Sequence, residues 1–434
     1  MKRLFSGFLL GLLCLSMFFV FAPKVGAQQS TVDWWPTFRH DLIHTSSSTS
    51  TAPLTNQVLW NYTTGDSVAY SSPAILNGVV YVGSNDHYVY ALNAATGTYI
   101  WSYKTGSSVD SSPAVADGIV YVGSEDHKVY ALNATEGTKI WSYGTGDKVE
   151  SSPTVSNGVV YVGSDDNKLY ALNAATGAKM WSYGTGSAVI LSPAVVNGVV
   201  YFGSEDDNVY ALNATSGSKL WSYTTGDQVD SSPSVVNNIV YIGSDDYGLY
   251  ALDASTGSRI WNFGTGDYVL SCPAVANGIV YIGSLDYSVY ALNAVSGSKI
   301  WSVSTGSQVE SSPAVADGVV YVGSDDNNIY ALNATTGNTV WTYGTTNIVD
   351  SSPAVANGVV YIGSTDHNVY AFGAVTVAQP SPPVPSPTVP EFPSQALAFS
   401  LVAVMVCAAF ALIAKRKAHN RKNSPTFTSC ASFL

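Results

Sequence analysis

The chain has 434 residues, of which 46% are hydrophobic and only 11% are charged. Its formal net charge is −12, and this acidic balance excludes nucleic acid as a partner, because nucleic acid requires a basic surface. Of the four cysteines, only Cys272 lies between the two terminal hydrophobic segments, so no disulfide can form within that central part of the chain.

The chain begins with a pattern typical of a secretory signal peptide. A basic pair is followed by the apolar residues 4–21, and small residues end at Ala27, where a signal peptidase would cleave. The sequence therefore predicts a signal peptide over residues 1–27. A lead-in segment over residues 28–56 follows it.

Residues 57–377 repeat one unit of about 40 residues eight times. Each copy contains Ser-Ser-Pro or a close variant, which begins at Ser71 in the first copy and at Ser351 in the last. A fixed period of this length, built from short strands, is typical of β-propellers, in which each repeat forms one blade.

One copy divides into four short strands. Residues 74–76 are apolar, and the Asn-Gly pair after them is preferred in a two-residue type I′ hairpin turn. Residues 79–83, 88–92 and 99–103 are rich in β-branched and aromatic residues, which favour strands. The predicted fold class is all-β: an eight-bladed β-propeller of four-stranded antiparallel blades.

The strand count also predicts how the ring closes. A tryptophan-bearing outer strand around Trp60 precedes the first copy, and none follows the last copy after Tyr370. Pairing these two strands would complete the last blade in a three-plus-one arrangement and remove a free sheet edge. Gly83 and its equivalents are expected to leave room for a neighbouring blade.

The segments after the repeats predict a membrane anchor. Residues 378–393 are rich in proline and form a linker, and residues 394–414 are uncharged and long enough to span a bilayer. The basic tail over residues 415–434 is then cytoplasmic by the positive-inside rule. The expected location is the cell membrane, with a single pass and the propeller on the extracellular side.

The repeat contains the pattern Ala-x-Asp-x-x-x-Gly-x-x-x-Trp, complete at Ala251, Asp253, Gly257 and Trp261 and present with Asn for Asp in most other copies. This pattern resembles the pyrroloquinoline-quinone-type (PQQ-like) propeller repeat, and residues 34–40 resemble the segment that often precedes such repeats. The resemblance implies one of two functions: a quinone-dependent dehydrogenase or a propeller that binds other proteins without catalysis.

The residues favour the second function. A quinone cofactor with three carboxylates needs cationic partners, usually arginines, and the predicted exported part contains only Arg39 and Arg259. It also lacks the adjacent cysteine pair of the family's alcohol dehydrogenases. No cofactor is therefore expected, and a quinone- or metal-dependent oxidoreductase remains the alternative.

The position just before Ser-Ser-Pro varies between copies and is the candidate contact site. Strand alternation places it near the propeller axis. Its acidic members are expected to form a rim that binds a protein partner or a divalent cation. These members are Asp110, Glu150, Asp230, Glu310 and Asp350. A candidate apolar sector beside them comprises Tyr70, Ile190, Leu191 and Leu270.

Three further features remain. The Asp repeated in all eight copies, first at Asp86, is expected to accept hydrogen bonds from turn amides, with a ring of bound cations as the alternative. Exposed aromatic residues would suit a surface glycan, which is a third functional alternative; these are Tyr70, Tyr247, Tyr268 and Tyr287. Four sequons are candidate glycosylation sites: Asn61, Asn133, Asn213 and Asn333.

Overall fold

The computed structural model of the protein describes residues 33–374. The predicted signal peptide, linker, membrane-spanning segment and cytoplasmic tail lie outside the described residues. Within residues 33–374, no helix is long and apolar enough to cross a membrane.

Eight sheets, each with four antiparallel strands and one of them with an added fifth strand, form the eight blades. The innermost strands of consecutive blades contact one another, and the first also contacts the last, so the sheets form a closed ring. The innermost strands are β3 (Ala74–Leu76), β7 (Ala114–Ala116), β11 (Thr154–Ser156), β15 (Ala194–Val196), β19 (Ser234–Val236), β23 (Ala274–Ala276), β27 (Ala314–Ala316) and β31 (Ala354–Ala356).

Two longer strands follow in each blade. The second strands are β4 (Val79–Gly83), β8 (Ile119–Ser124), β12 (Val159–Ser164), β16 (Val199–Ser204), β20 (Ile239–Gly243), β24 (Ile279–Ser284), β28 (Val319–Gly323) and β32 (Val359–Gly363). The third strands are β5 (Tyr88–Asn93), β9 (Lys128–Asn133), β13 (Lys168–Asn173), β17 (Asn208–Asn213), β21 (Gly248–Asp253), β25 (Ser288–Asn293), β29 (Asn328–Asn333) and β33 (Asn368–Gly373).

The outer strands carry the tryptophans. They are β6 (Tyr99–Lys104), β10 (Lys139–Gly144), β14 (Lys179–Gly184), β18 (Lys219–Thr224), β22 (Arg259–Gly264), β26 (Lys299–Ser304), β30 (Thr339–Gly344) and β2 (Val58–Thr63). One more strand, β1 (Ser47–Ser48), pairs in parallel with the innermost strand β27, so that sheet has five strands instead of the expected four.

The hairpin turn and the closure agree with the sequence prediction. Asn77 and Gly78 both have positive φ, 52° and 79°, as a type I′ turn requires. Strand β2 pairs antiparallel with β33, with Trp60 opposite Ala371 and Thr63 opposite Asn368. The three-plus-one closure of the ring is therefore confirmed.

Each outer-strand tryptophan packs onto the next blade. Trp101 donates from Nε1 to the carbonyl oxygen of Ala134 over 2.9 Å. A Cβ atom on Gly137 would lie only 2.6 Å from the Trp101 ring, so the ring rests directly on a glycine backbone. The predicted close approach at Gly83 is also present, because a Cβ atom there would collide with Val109 of the neighbouring blade.

The repeated Asp joins neighbouring blades. Oδ2 of Asp86 accepts from the Gly65 amide over 2.7 Å and from the Tyr90 hydroxyl over 2.6 Å, and Oδ1 accepts from the Tyr88 amide over 3.0 Å. These bonds match the structural role expected from the sequence, with a tyrosine hydroxyl as an additional donor.

Candidate functional site

The lead-in segment closes one end of the central channel. Its carbonyl oxygens accept hydrogen bonds from amides of the inner strands: Pro36 from Val115 over 2.7 Å, and Leu42 from Val195 over 2.8 Å. Similar bonds from Val235, Val275 and Val315 follow along the segment as it passes further blades. The sequence placed this segment before the repeats but did not locate it inside the ring.

Arg39 of the lead-in segment is buried in the channel and only 2% exposed. Its Nε donates to Ser46 Oγ over 2.9 Å and its Nη1 to the Ser232 carbonyl oxygen over 3.3 Å. Burial lowers the pKa of Arg39 to about 10. This guanidinium ties the segment to a blade almost 200 residues away in the chain, a contact that the sequence did not reveal.

Above this segment the channel forms an open cavity of about 340 Å³, which we call the cup. Phe38 contributes to its floor together with serines of the Ser-Ser-Pro motifs and Cys272, which is a buried free thiol. All eight residues that precede the Ser-Ser-Pro motifs, and Leu191, line the cup. The structure thus brings every member of the candidate rim and apolar sector together around one cavity.

The order of side chains around the cup is palindromic. Starting at Tyr70 and reading in either direction, the ring gives Asp, Glu, an aliphatic residue and then Asp. The order is Tyr70, Asp110, Glu150, Ile190, Asp230, Leu270, Glu310 and Asp350. Acidic pairs therefore flank Tyr70 on both sides, whereas the opposite side of the cup has one carboxylate between two aliphatic side chains.

Tyr70 protrudes because its copy is one residue longer. Ala69 and Tyr70 separate Val68 from Ser71, whereas one residue stands at the equivalent place in the other copies. Tyr70 is 55% exposed. Burial raises its pKa to about 12, with further contributions from the carboxylates of Glu310, Asp350 and Asp110.

A second row of carboxylates stands beside the rim, and the sequence analysis missed it. Its members occupy the position just before the repeated Asp: Glu125, Asp165, Glu205, Asp245 and Asp325. The adjacent acidic pairs in the sequence were the available indication. Lys148 bridges the two rows, with Nζ 2.7 Å from Glu125 and 3.5 Å from Glu150.

Crowding and burial shift the rim carboxyls toward their neutral forms. Burial, reinforced by Glu125 and Glu150, raises the pKa of Asp110 to about 7. Burial and then Asp325 raise the pKa of Asp350 to about 8. The pKa of Asp230 is likewise raised to about 7, by burial and by second-row carboxylates. These three aspartates of the rim therefore titrate around neutral pH, and burial also raises the pKa of Glu150 and Glu310.

Several rim carboxylate oxygens are buried and accept no hydrogen bond from any described residue. They are the Oδ1 atoms of Asp110, Asp230 and Asp350, and in the second row those of Asp165, Asp245 and Asp325. Buried acceptors without a donor are unfavourable, so a ligand with several N–H donors would relieve them.

The cup suits neither a compact metal ion nor a quinone. Within residues 33–374, no group of three or more His, Cys, Asp or Glu side chains converges closely enough to hold a metal ion. The divalent cation predicted for the rim therefore has no ready set of ligands there. A tricarboxylate cofactor would face carboxylates at the rim, and the Nε and Nη1 groups of Arg39 already donate to Ser46 and Ser232, which leaves only its buried Nη2 without an acceptor.

Apart from Tyr70, the aromatic residues and sequons named as candidates lie outside the cup. Tyr247 and Tyr268 are exposed neighbours with ring centroids 5.5 Å apart, and Tyr287 is also exposed. In three sequons the asparagine accepts a hydrogen bond from a turn amide through its side-chain oxygen. The side-chain nitrogen, where a glycan would attach, takes no part in these bonds. The three residues are Asn133, Asn213 and Asn333. Asn61 lies on the closing strand β2.

Known structures share this architecture. BamB from Moraxella catarrhalis is 20% identical with a TM-score of 0.65, covering 74% of this chain and 99% of that chain. A europium-containing methanol dehydrogenase is 14% identical with a TM-score of 0.69, covering 79% and 98%. A computationally designed protein, Ika8, is 20% identical with a TM-score of 0.66, covering 73% and 100%. At these identities the similarity establishes the fold alone.

A comparison with curated protein sequences finds no match. The family described as outer membrane protein assembly factor BamB matches four overlapping segments, residues 44–152, 85–193, 144–268 and 249–376. These segments span nearly the whole propeller and most of the chain. The chain therefore belongs to the outer membrane protein assembly factor BamB family of PQQ-like propeller repeats.

Proposed function

We propose that this chain is a non-catalytic binding module whose protein partner docks on the face that contains the cup. The observation that carries the proposal is the chemistry of the cup lining. The repeated Asp is the same in all eight blades, and in each its Oδ2 accepts from a tyrosine hydroxyl and a backbone amide. The residue before Ser-Ser-Pro instead changes from blade to blade. Variation at a position that lines an open cavity is expected of a binding surface.

The proposal includes the location expected from the sequence. A signal peptide over residues 1–27 and a membrane-spanning segment over residues 394–414 would hold the propeller outside the cell membrane on a proline-rich linker. In that setting the anchored module would act as a scaffold for another surface or membrane protein.

A quinone-dependent oxidoreductase is less well supported. The solved structures of the same fold include a europium-containing methanol dehydrogenase and a quinohemoprotein alcohol dehydrogenase, so the architecture alone is compatible with either function. The acidic lining of the cup disfavours a cofactor that carries three carboxylates, because like charges would repel inside a cavity with few compensating cations.

Photo-crosslinking in the native cells tests the proposal. The full chain would carry a benzophenone amino acid at Leu270, in the cup, or at Leu220, which is 53% exposed on an outer strand. We expect one protein to crosslink at Leu270 and not at Leu220. Neutralising the five rim residues, through Asp→Asn and Glu→Gln changes, should abolish that crosslink because it removes the charge that attracts the partner.

Two results would count against the proposal. A partner that crosslinks only at Leu220 would place the binding surface on the outer strands. A specific crosslink at Leu270 that persists at full strength in the neutralised variant would show that the rim charges do not contribute to binding.

A second candidate function, recognition of a surface glycan, is favoured by the exposed Tyr247 and Tyr268 pair. Flat aromatic faces bind the apolar faces of sugar rings. Glycan-array binding that is lost in Tyr247→Ala with Tyr268→Ala, but retained in Tyr99→Ala, which removes a more exposed tyrosine from an outer strand, would support it. Equal loss in both variants would argue against a site at the pair.

A further inference from the structure

The most buried carboxyl of the rim is that of Asp350, which is only 8% exposed and lines the cavity. Its neighbour within hydrogen-bonding reach is the carboxyl of Asp325, and Glu310 adds further negative charge. The Oδ1 atoms of both aspartates are buried and accept from no N–H or hydroxyl group of the described residues. One shared proton cannot satisfy both oxygens of both carboxyls, so a donor from outside would complete the site.

Tyr70 gives this part of the cup a second way to bind a cation. Tyr70 is more than half exposed, and the nearby carboxylates of Glu310, Asp350 and Asp110 help to raise the pKa of its hydroxyl. A cation over a tyrosine face is attracted by the ring electrons, and flanking carboxylates strengthen that attraction. The side of the cup around Tyr70 therefore combines an aromatic face with carboxylates on both flanks.

The opposite side of the cup is suited to apolar groups. Ile190 and Leu270 flank Asp230 there, and Leu191 adjoins Ile190. The carboxylates are spread around the ring and do not converge on one point, which favours an extended organic cation over a compact metal ion. At about 340 Å³ the cup is near the small end of ligand pockets, about 300–1,000 Å³, so it has room for one long side chain.

The chain itself provides an example of this contact. The ammonium of Lys148 lies on the rim between Glu125 and Glu150. In the palindromic order, Glu310 corresponds to Glu150, and the residue two places before Glu310 is Gln308, which has no charge. The Glu310 side of the rim therefore has no lysine at the position that Lys148 occupies on the other side.

Resting on the proposed function, we infer that the cup receives one lysine or arginine side chain of the partner protein. Its charged end lies at Tyr70, Asp110 and Asp350, and an apolar residue next to it in the partner contacts Ile190 and Leu270. The ammonium or guanidinium donates to the unpaired carboxylate oxygens, and its stem packs against the aliphatic side chains.

Peptide binding to the full chain tests this inference. The probe is a fluorescent nonapeptide with one central lysine between two leucines, and the matched probe has norleucine in place of lysine. The measurement is made at about pH 9, where Asp110 and Asp350, with pKa values of about 7 and about 8, are ionised and the lysine is still charged. We expect the lysine peptide to bind at least about tenfold more tightly at low salt, where tenfold corresponds to about 1.4 kcal/mol. This preference should shrink when salt screens the charges.

Variants with matched controls locate the site. Asp110→Asn with Asp350→Asn should weaken the lysine peptide about tenfold. Asp117→Asn with Asp317→Asn changes the net charge equally at exposed hairpin turns, where most other copies already have Asn, and should have no effect. Tyr70→Ala should weaken binding, whereas Tyr99→Ala, 54% exposed on an outer strand, should not. Thermal melting verifies that each variant is folded.

Three outcomes would overturn the inference: equal binding of the norleucine peptide, equal loss in both charge-matched double variants, or binding of free spermidine as tight as that of the lysine peptide. A negative result in the peptide test can be distinguished from a negative result in the crosslinking test of the proposed function. A partner that crosslinks at Leu270 while the lysine peptide shows no preference would leave the docking face intact and remove only the cationic side chain.

Discussion

The contact between Trp221 and Gly257 offers a direct test of how adjacent blades are held together. Trp221 is 8% exposed, and its Nε1 donates to the Ala254 carbonyl oxygen over 2.9 Å. A Cβ atom on Gly257 would lie 2.7 Å from the Trp221 ring, and Gly257 has a φ of +72°. The glycine is therefore required both for its backbone conformation and for the space that it leaves.

These two requirements can be separated by experiment. Gly198→Ala provides the conformational term alone, because Gly198 has a φ of +76° and nothing within 4 Å of its missing Cβ. We expect it to lower the free energy of unfolding by about 1–2 kcal/mol. Gly257→Ala should lower it by that amount plus about 1–3 kcal/mol for the collision with the ring.

A double-mutant cycle completes the test. Trp221→Ala should lower the free energy of unfolding by about 3–5 kcal/mol, because it removes a large buried ring and its hydrogen bond. In that background Gly257→Ala should cost no more than Gly198→Ala, because the ring is gone. The expected coupling between the two positions is therefore about 1–3 kcal/mol.

Urea unfolding of the full chain, followed by tryptophan fluorescence and by circular dichroism, measures these differences. The two signals must coincide for the comparison to hold, because an array of eight blades can unfold in stages. The packing of the Trp221 ring on Gly257 would be refuted by one result. That result is an equal loss of unfolding free energy in Gly257→Ala and Gly198→Ala, both in the wild-type chain and in the Trp221→Ala variant.

Three further predictions concern closure, charge and the repeated Asp. Trp60→Ala should speed hydrogen exchange at the amide of Thr64, which directly follows the closing strand and donates to the His367 carbonyl oxygen over 2.8 Å, whereas Trp221→Ala should not. Stability should fall as pH rises from about 5 to about 8, because burial raises the pKa values of Asp110 and Asp350 to about 7 and about 8 in the folded state, well above the ordinary value of an aspartate, so the folded state binds more protons than the unfolded state. Their Asn variants should flatten this slope in thermal melts. Asp166→Ala should lower the free energy of unfolding by about 1–3 kcal/mol in urea titrations, because the Tyr170 hydroxyl and the Gly146 amide lose their acceptor.

Much of the fold could be predicted from the sequence because it depends on local patterns. The Asn-Gly turn requires only two residues with positive φ, and it divides each copy into the same strands. The unpaired Trp60 strand at the start and the missing outer strand after Tyr370 determine the closure by counting. The position before Ser-Ser-Pro recurs four residues before every inner strand, so its eight members had to meet near the axis.

The second row of carboxylates was harder to find because its residues adjoin the repeated Asp in sequence. Asp165 and Asp166 are neighbours, yet Asp166 binds Gly146 and Tyr170 while Asp165 adds to the charge around Glu150. Alternation along one strand does not assign either role, since both residues lie in a turn. Only the packing of neighbouring loops separates the structural carboxylate from the one at the rim.

By itself the sequence determined the number of blades, their strands, their closure and the residues that face the axis, because each follows from a repeated local pattern. Only the tertiary structure decided that the lead-in segment closes one end of the central channel, so that the other end forms the cup. The lead-in segment has no repeat, and its position depends on bonds such as those from Arg39 to Ser232 and from Val195 to Leu42. These contacts join residues more than 150 positions apart, and no local pattern records them.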